Sequence, residues 1–404
     1  MVRLKLKKMN KFFFLAFLLL ISGNSIMGQN LDAAAFHNHR RSLSGIFTKF
    51  EKEKAGRMAF LGGSITYNPG WRDSICSFIQ KEFPETKFDF INAGVPSMGS
   101  TPGAFRFEKD VLKNGPVDLL FLEAAVNDQV NKAQPLEITR AMEGIVRHAK
   151  RANPACEIVI MYFVDPDKMK DYRAGKVPEV IQLHEKIAEY YTVSTINLAK
   201  EVTQRIDNDE FSWENDFKDL HPSPFGQQVY YQSIRQFIDW ELINRIADIN
   251  TEVLPACVDE YCYSNGVLIK PNPSKKIKGW TMVNQWTPSD GKSTRDSFVN
   301  VPMLVGEYPG KIIKFQFKGN AIGIAVAAGP DAGVIEYSID ESEWAKLDLF
   351  TLWSKDLHLP WFYTLGTELK DRKHTLQIRL TKEKNPESTG NKCVIRYFYV
   401  NGGE

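Results

Sequence analysis

Between Met58 and about Leu198, short apolar runs alternate with longer segments whose apolar positions recur every three to four residues. The short runs Met58–Leu61, Phe88–Asn92, Val117–Ala124, Glu157–Val164 and Val193–Asn197 read as strands. Between them, Arg72–Glu82, Ala104–Lys113, Leu136–Arg151 and Pro178–Tyr191 read as amphipathic helices. Pro224–Ile246 reads as a long closing helix, with proline at the start where a missing N–H costs nothing. The alternation predicts a three-layer α/β/α unit on a five-stranded parallel sheet, with its active groups at the carboxyl ends of the strands.

After about Thr251 the helical period stops. Short β-prone runs separated by Gly, Asn, Asp and Pro take over, the clearest being Lys311–Phe317, Ala321–Ala327, Gly333–Ile339, His374–Leu380 and Val394–Val400. The expected organisation is an α/β domain over 29–250, a linker over 251–265 and an all-β sandwich over 266–404. A chain of 404 residues fits two domains.

The first 28 residues stand apart. Arg3, Lys5, Lys7, Lys8 and Lys11 precede an apolar run from Phe12 to Ile21 and then small and polar residues, the layout of a secretory signal peptide cleaved after Gly28. The run is too short to span a bilayer, so the mature chain is expected in the periplasm or secreted, with no membrane span. Removing this segment turns the formal charge of +2 slightly negative. Without a basic stripe, nucleic acid is excluded as a partner. Among five cysteines only Cys257 and Cys262 lie close together, as a local disulfide or as two free thiols, and no spacing suits a zinc site. Neither a metal nor another cofactor is expected, and oligomeric state is not legible.

The chemistry gathers at strand ends. The first strand runs into Gly62-Gly63-Ser64, placing a hydroxyl at a sharp turn. The second ends at Asn92-Ala93-Gly94 and the third runs into Asn127-Asp128. The N–H groups of Ser64 and Gly94 and the Asn127 amide would give three donors aimed at one oxyanion, although a lone Asn more often serves a turn. A serine hydroxyl needs an imidazole to take its proton. His221, in the Pro-rich segment Lys218-Asp219-Leu220-His221-Pro222-Ser223-Pro224, is the best-placed of seven histidines.

These blocks, in this order, resemble the SGNH/GDSL hydrolases. Gly62-Gly63-Ser64-Ile65-Thr66 is similar to the first block, with G-D-S changed to G-G-S; Gly94, Asn127-Asp128 and His221-Pro222 are similar to the other three. The resemblance covers about residues 57–245. It implies a flavodoxin-like α/β/α fold, Ser64 as nucleophile and oxyanion donor, Gly94 and Asn127 as further donors, and His221 as base. Two positions depart from it. Ala125 stands where the third block has Gly, and Lys218 stands where the family's Asp lies three residues before His. Asp219 is the candidate acid; Asp216 or a backbone carbonyl would otherwise orient the ring, leaving a Ser–His dyad.

The resemblance implies acyl-ester hydrolysis, and export with an appended sandwich resembles bacterial carbohydrate esterases, making an acylated carbohydrate the expected substrate. Trp71 and Arg72, shortly after the nucleophile turn, are candidates for stacking on a sugar and binding a carboxylate, with packing and a surface ion pair equally available. The aromatic segment from Leu352-Trp353 to Trp361-Phe362-Tyr363 offers either a sugar platform or sandwich core. Two further classes stay open: a glycoside hydrolase using carboxylates such as Glu123, Asp128, Asp165 or Asp167, and a non-catalytic carbohydrate-binding protein.

Overall fold

The computed structural model describes residues 31–246, 253–272 and 278–402. The signal segment lies outside the described residues. Among those that are described, no helix is long and apolar enough to cross a membrane.

The first sheet holds β1 (His37–Asn38), β2 (Ala55–Gly62), β3 (Lys87–Gly94), β4 (Leu119–Leu122), β5 (Glu157–Met161) and β6 (Ser194–Ile196), in the order β1-β6-β5-β4-β2-β3. The five expected strands are parallel. The sixth, two-residue β1, adds antiparallel to the edge at β6 and was too short to leave a pattern. Helices α1 (Ser44–Glu53), α2 (Ser64–Tyr67), α3 (Trp71–Glu82), α4 (Ser100–Asp110) and α5 (Ala125–Val130) come first; α6 (Pro135–Ala152), α7 (Pro166–Arg173), α8 (Glu179–Tyr190), α9 (Leu198–Asp207) and α10 (Pro224–Ile243) follow. α1, α3 and α10 pack together on one face of the sheet, and α4, α6 and α8 on the other. Covered on both faces, β4 and β5 bury every residue, apolar throughout except Glu157, whose carboxylate pairs with Arg41 and Lys150.

The second domain is antiparallel throughout its two sheets. One holds β10 (Ile312–Gly319), β12 (Val334–Ile339), β13 (Ala345–Asp348) and β15 (Arg372–Leu380), ordered β10-β15-β12-β13. The other is ordered β14-β11-β16-β9-β8, from β8 (Trp280–Trp286), β9 (Val301–Gly306), β11 (Ala321–Ala328), β14 (Leu359–Gly366) and β16 (Cys393–Asn401), with β7 (Gly266–Ile269) pairing with β16. Ile313, Ile335, Leu376 and Ile378 of the first sheet meet Ile322, Ile324, Ile395 and Phe398 of the second to form the sandwich core.

The two domains share one continuous apolar core. β11 alternates large and small residues: Ile322, Ile324 and Val326 enter the sandwich, while Ala321, Gly323, Ala325 and Ala327 face the α/β domain. A register shift opposite Arg396 reverses the parity of β16, so Cys393 and Ile395 point into the sandwich before it, and Phe398 and Val400 after it. Tyr399 thereby faces outward, lies over Gly323, and meets Phe105 of α4 with ring centroids 4.5 Å apart. A Cβ on Gly323 would fall 2.0 Å from the Tyr399 ring. Phe105 also packs on Tyr263, from the chain that joins the domains, at 4.8 Å. Near it, Cys257 and Cys262 are free thiols with sulfurs 3.5 Å apart, so the local disulfide weighed from their spacing is not formed.

Phe105 is fully buried where three segments meet. Phe105→Ala is expected to cost about 3–5 kcal/mol in denaturant unfolding. Exposed Tyr308→Ala is expected to stay within about 0.5 kcal/mol of wild type.

Candidate active site

β2 delivers Gly62-Gly63-Ser64 at its carboxyl end, and the turn passes directly into α2, whose first residue is Ser64. The turn is anchored from behind: the Gly62 carbonyl accepts from the Val95 N–H at 2.9 Å and from the buried guanidinium of Arg106 on α4 at 3.1 Å. Ser64 N–H opens the helix without an intrahelical acceptor, as first-turn amides do. A Cβ added to Gly63 would lie 2.0 Å from Asn127 Nδ2, so in this chain the amide of α5 lies directly against the bare Gly63 backbone.

His221 arrives from the other side. A short π-helical turn, Trp213–Phe217, is followed by Lys218 at φ +81° and ψ −58°, a γ-turn conformation that a lysine adopts only under strain. Ser223 returns to this turn, its N–H donating to the Phe217 carbonyl at 2.9 Å, and its hydroxyl caps α10. Held between this turn and α10, His221 brings Nε2 to 2.7 Å from Ser64 Oγ.

The orienting acid has a different geometry from a hydrogen-bonded triad. Asp219 Oδ1 accepts from the His221 backbone N–H at 2.5 Å and lies 3.7 Å from Nδ1, beyond hydrogen-bond reach. Its side chain is 67% exposed, so water screens its charge. Asp216 is committed to Ser212, accepting from both N–H and Oγ.

The three expected oxyanion donors are brought to one cleft, which Ser64, Gly94 and Asn127 all line, but they are not equally free. The Gly94 N–H donates to Asn92 Oδ1 at 3.0 Å, so Asn92 would have to release it. Asp128 serves the fold: fully buried, it accepts from the Ser100 N–H at 2.7 Å and pairs with His184 Nε2 at 3.0 Å.

Two sequence-based expectations are corrected. Trp71 is wholly buried, its ring between Phe60 and Phe163 and its Nε1 donating to the Ile65 carbonyl, because the first turn of α3 faces the sheet. Arg72 braces α2 through the Thr66 carbonyl and pairs with Asp73. Neither lines the cleft. The carboxylates weighed for a glycosidase are elsewhere too. Glu123 and Asp165 are buried, Asp167 lies on the exposed side of α7, and Asp296 is the sole carboxylate lining the cleft among the described residues.

The cleft, about 710 Å³, is closed by residues that sequence reasoning missed. Thr294, Arg295, Asp296 and Ser297 come from a polar loop of the second domain with no periodic signal. The Tyr67 hydroxyl, three residues after Ser64, donates to Asp296 at 2.8 Å, and Arg295 reaches Ser97 Oγ at 3.4 Å. Trp353, from the aromatic segment, lines the cleft and is 40% exposed; Phe362 of the same segment instead stacks on Tyr399 in the core.

An α/β unit with a Ser–His pair at the carboxyl edge of its sheet, roofed by a β-sandwich, is the class that fold and site define. Residues 60–229 match the GDSL-like lipase/acylhydrolase family. Over 90% of this chain and 97% of the other, the whole fold is similar to a two-domain esterase, CEX, active on acetylated mannans, with a TM-score of 0.72 at 18% identity. The same esterase co-crystallized with mannopentaose gives a TM-score of 0.70 at 19% identity over 90% and 96% of the two chains. Among curated proteins, none matches the sequence.

Below the turn, burial pushes the Glu123 carboxyl up to about 7 from its ordinary 4.5, against the hydrogen bond from the Val126 N–H. The folded state therefore holds a proton that the unfolded chain gives up above about 4.5, so this group costs stability as pH rises from there to about 7. Relative to Glu123→Gln, wild type is expected to lose roughly 3 kcal/mol across that window, and nothing further above it. Paired denaturant titrations at several pH values measure the difference; a constant offset would contradict the assignment.

Proposed function

We propose that this protein is an exported serine esterase that removes acetyl groups from a carbohydrate through an acyl-Ser64 intermediate, with His221 as general base. The observation that carries this is the 2.7 Å contact between Ser64 Oγ and His221 Nε2 at the edge of an open cleft, with the Asn127 amide against the same turn. His221 Nε2 takes the hydroxyl proton as Ser64 Oγ attacks the acyl carbonyl. Negative charge gathers on the carbonyl oxygen, facing the Ser64 N–H and Asn127 Nδ2, with Gly94 N–H as a third donor once Asn92 gives way. Each such donor typically contributes about 3–4 kcal/mol to the transition state. The imidazolium then protonates the departing sugar oxygen, and water, activated by the same ring, releases acetate.

The substrate class is supported by the architecture. A cleft walled by both domains, with exposed Trp353 at its margin, suits a sugar chain better than a lone acyl group. The similarly built two-domain esterase acts on acetylated mannans. No pair of carboxylates flanks the cleft among the described residues, which removes the physical basis for the glycosidase alternative. The Ser–His contact argues against a purely binding role.

Because Asp219 is solvent-exposed and outside hydrogen-bond reach of Nδ1, the mechanism is a dyad with a distant carboxylate. Loss of a buried, hydrogen-bonded triad acid costs about 10⁴ in kcat. Here Asp219→Ala is expected to lower kcat on p-nitrophenyl acetate less than about tenfold. Ser64→Ala and His221→Ala are expected to lose at least about a thousandfold each. Acetate release from acetylated polysaccharides by Ser64→Ala at the wild-type rate would sink the assignment.

A further inference from the structure

Asn127 follows a stretch whose backbone is gripped by buried ionisable side chains that never reach the cleft. The Val126 N–H donates to Glu123 Oε1 at 3.0 Å, and the Ala125 carbonyl accepts from Lys168 Nζ at 3.2 Å. Lys168 is completely buried on α7 and paired with Asp165, whose other oxygen caps that helix by accepting from the Lys168 N–H at 2.9 Å. Glu123 is 1% exposed, and its Oε2 has no hydrogen-bond partner among the described residues.

As packing, this arrangement is a poor choice. Apolar residues of similar size would fill the space at lower cost than three ionisable groups, one with an orphaned oxygen. What these polar groups do that apolar side chains would not is hold one peptide group from both ends, by its Ala125 C=O and its Val126 N–H, in a fixed direction. That peptide lies in the first turn of α5, one residue before Asn127, so fixing it fixes the backbone from which the Asn127 side chain leaves.

We propose that Glu123 and Lys168 are positioning residues for the reaction: they lock the Ala125–Asn127 turn so that Asn127 Nδ2 faces the Ser64 turn. This rests on the acyl-transfer function argued above, and it adds residues that touch neither substrate nor nucleophile. A donor displaced by well under an ångström loses most of its advantage in the transition state while binding of the ground state changes little.

The test is a double-mutant cycle on p-nitrophenyl acetate with Asn127→Ala and Glu123→Met, all proteins being checked for an intact thermal transition. Glu123→Met is expected to lower kcat about 10- to 100-fold with KM within about threefold of wild type. Glu123→Gln, which keeps an oxygen for the Val126 N–H, is expected to restore kcat to within about threefold. In the Asn127→Ala background, Glu123→Met is expected to cost less than about threefold more, because the group it positions is already gone. Additive losses, or a KM effect equal to the kcat effect, would overturn the proposal while leaving Asn127 as a donor. A wild-type rate in Asn127→Ala alone would overturn the donor role, and this proposal with it. If Glu123→Met does not fold, Glu123→Asp withdraws the same oxygen from Val126 while keeping a polar group, and the same outcomes apply.

Discussion

No side-chain atom fits between the Gly63 backbone and the Asn127 amide, and the site is built around that contact. Because the turn at the end of β2 lies flat against α5, Ser64 and the amide that faces it follow neighbouring strands of one sheet. Their separation is fixed by the spacing of β2 and β4, in register from Met58 with Leu119 to Leu61 with Leu122. His221 is supplied differently, by a strained loop that α10 pins in place. Rigid strand ends thus hold Ser64 and Asn127, while His221 sits on a segment with backbone strain at Lys218.

The second domain belongs to the same object. β11 and β16 bury every residue because each has a packed layer on both sides, the sandwich on one and α4 on the other. The alternation Ala-Ile-Gly-Ile-Ala-Val-Ala in β11 serves two neighbours at once, large residues for the sandwich and small ones where Tyr399 and Phe105 must approach. This shared core holds the sandwich at a fixed angle, and so its loop at Thr294–Ser297 arrives over Ser64.

What the sequence made legible follows from the range of each interaction. The apolar runs of β2 to β6 and the periods of α3, α4, α6, α8 and α10 are local, and their elements appear within a few residues of the expected bounds. Ser64 and His221 were legible because the strand-end turn and the Pro-braced loop are local features too. Trp71 was misplaced because position along the chain near Ser64 does not reveal which side of α3 faces the sheet; its burial depends on Phe60 of β2 and on Phe163, just after β5. The Gly94 N–H looked free because nothing in the sequence shows that Asn92 turns back onto it. Arg295 and Asp296 left no trace, since more than 200 residues separate them from the turn they cover.

The hydrogen bond between Tyr67 and Asp296 has an evolutionary corollary. Tyr67 ends the same single helical turn that Ser64 begins, so the sandwich grips Ser64's own helix rather than a remote part of the α/β domain. The reactive turn and the roof over it are thereby separable units of variation. A lineage can exchange the four residues of the roof loop and change what the cleft admits while the Ser–His geometry beneath stays untouched, provided an acceptor for the Tyr67 hydroxyl is kept.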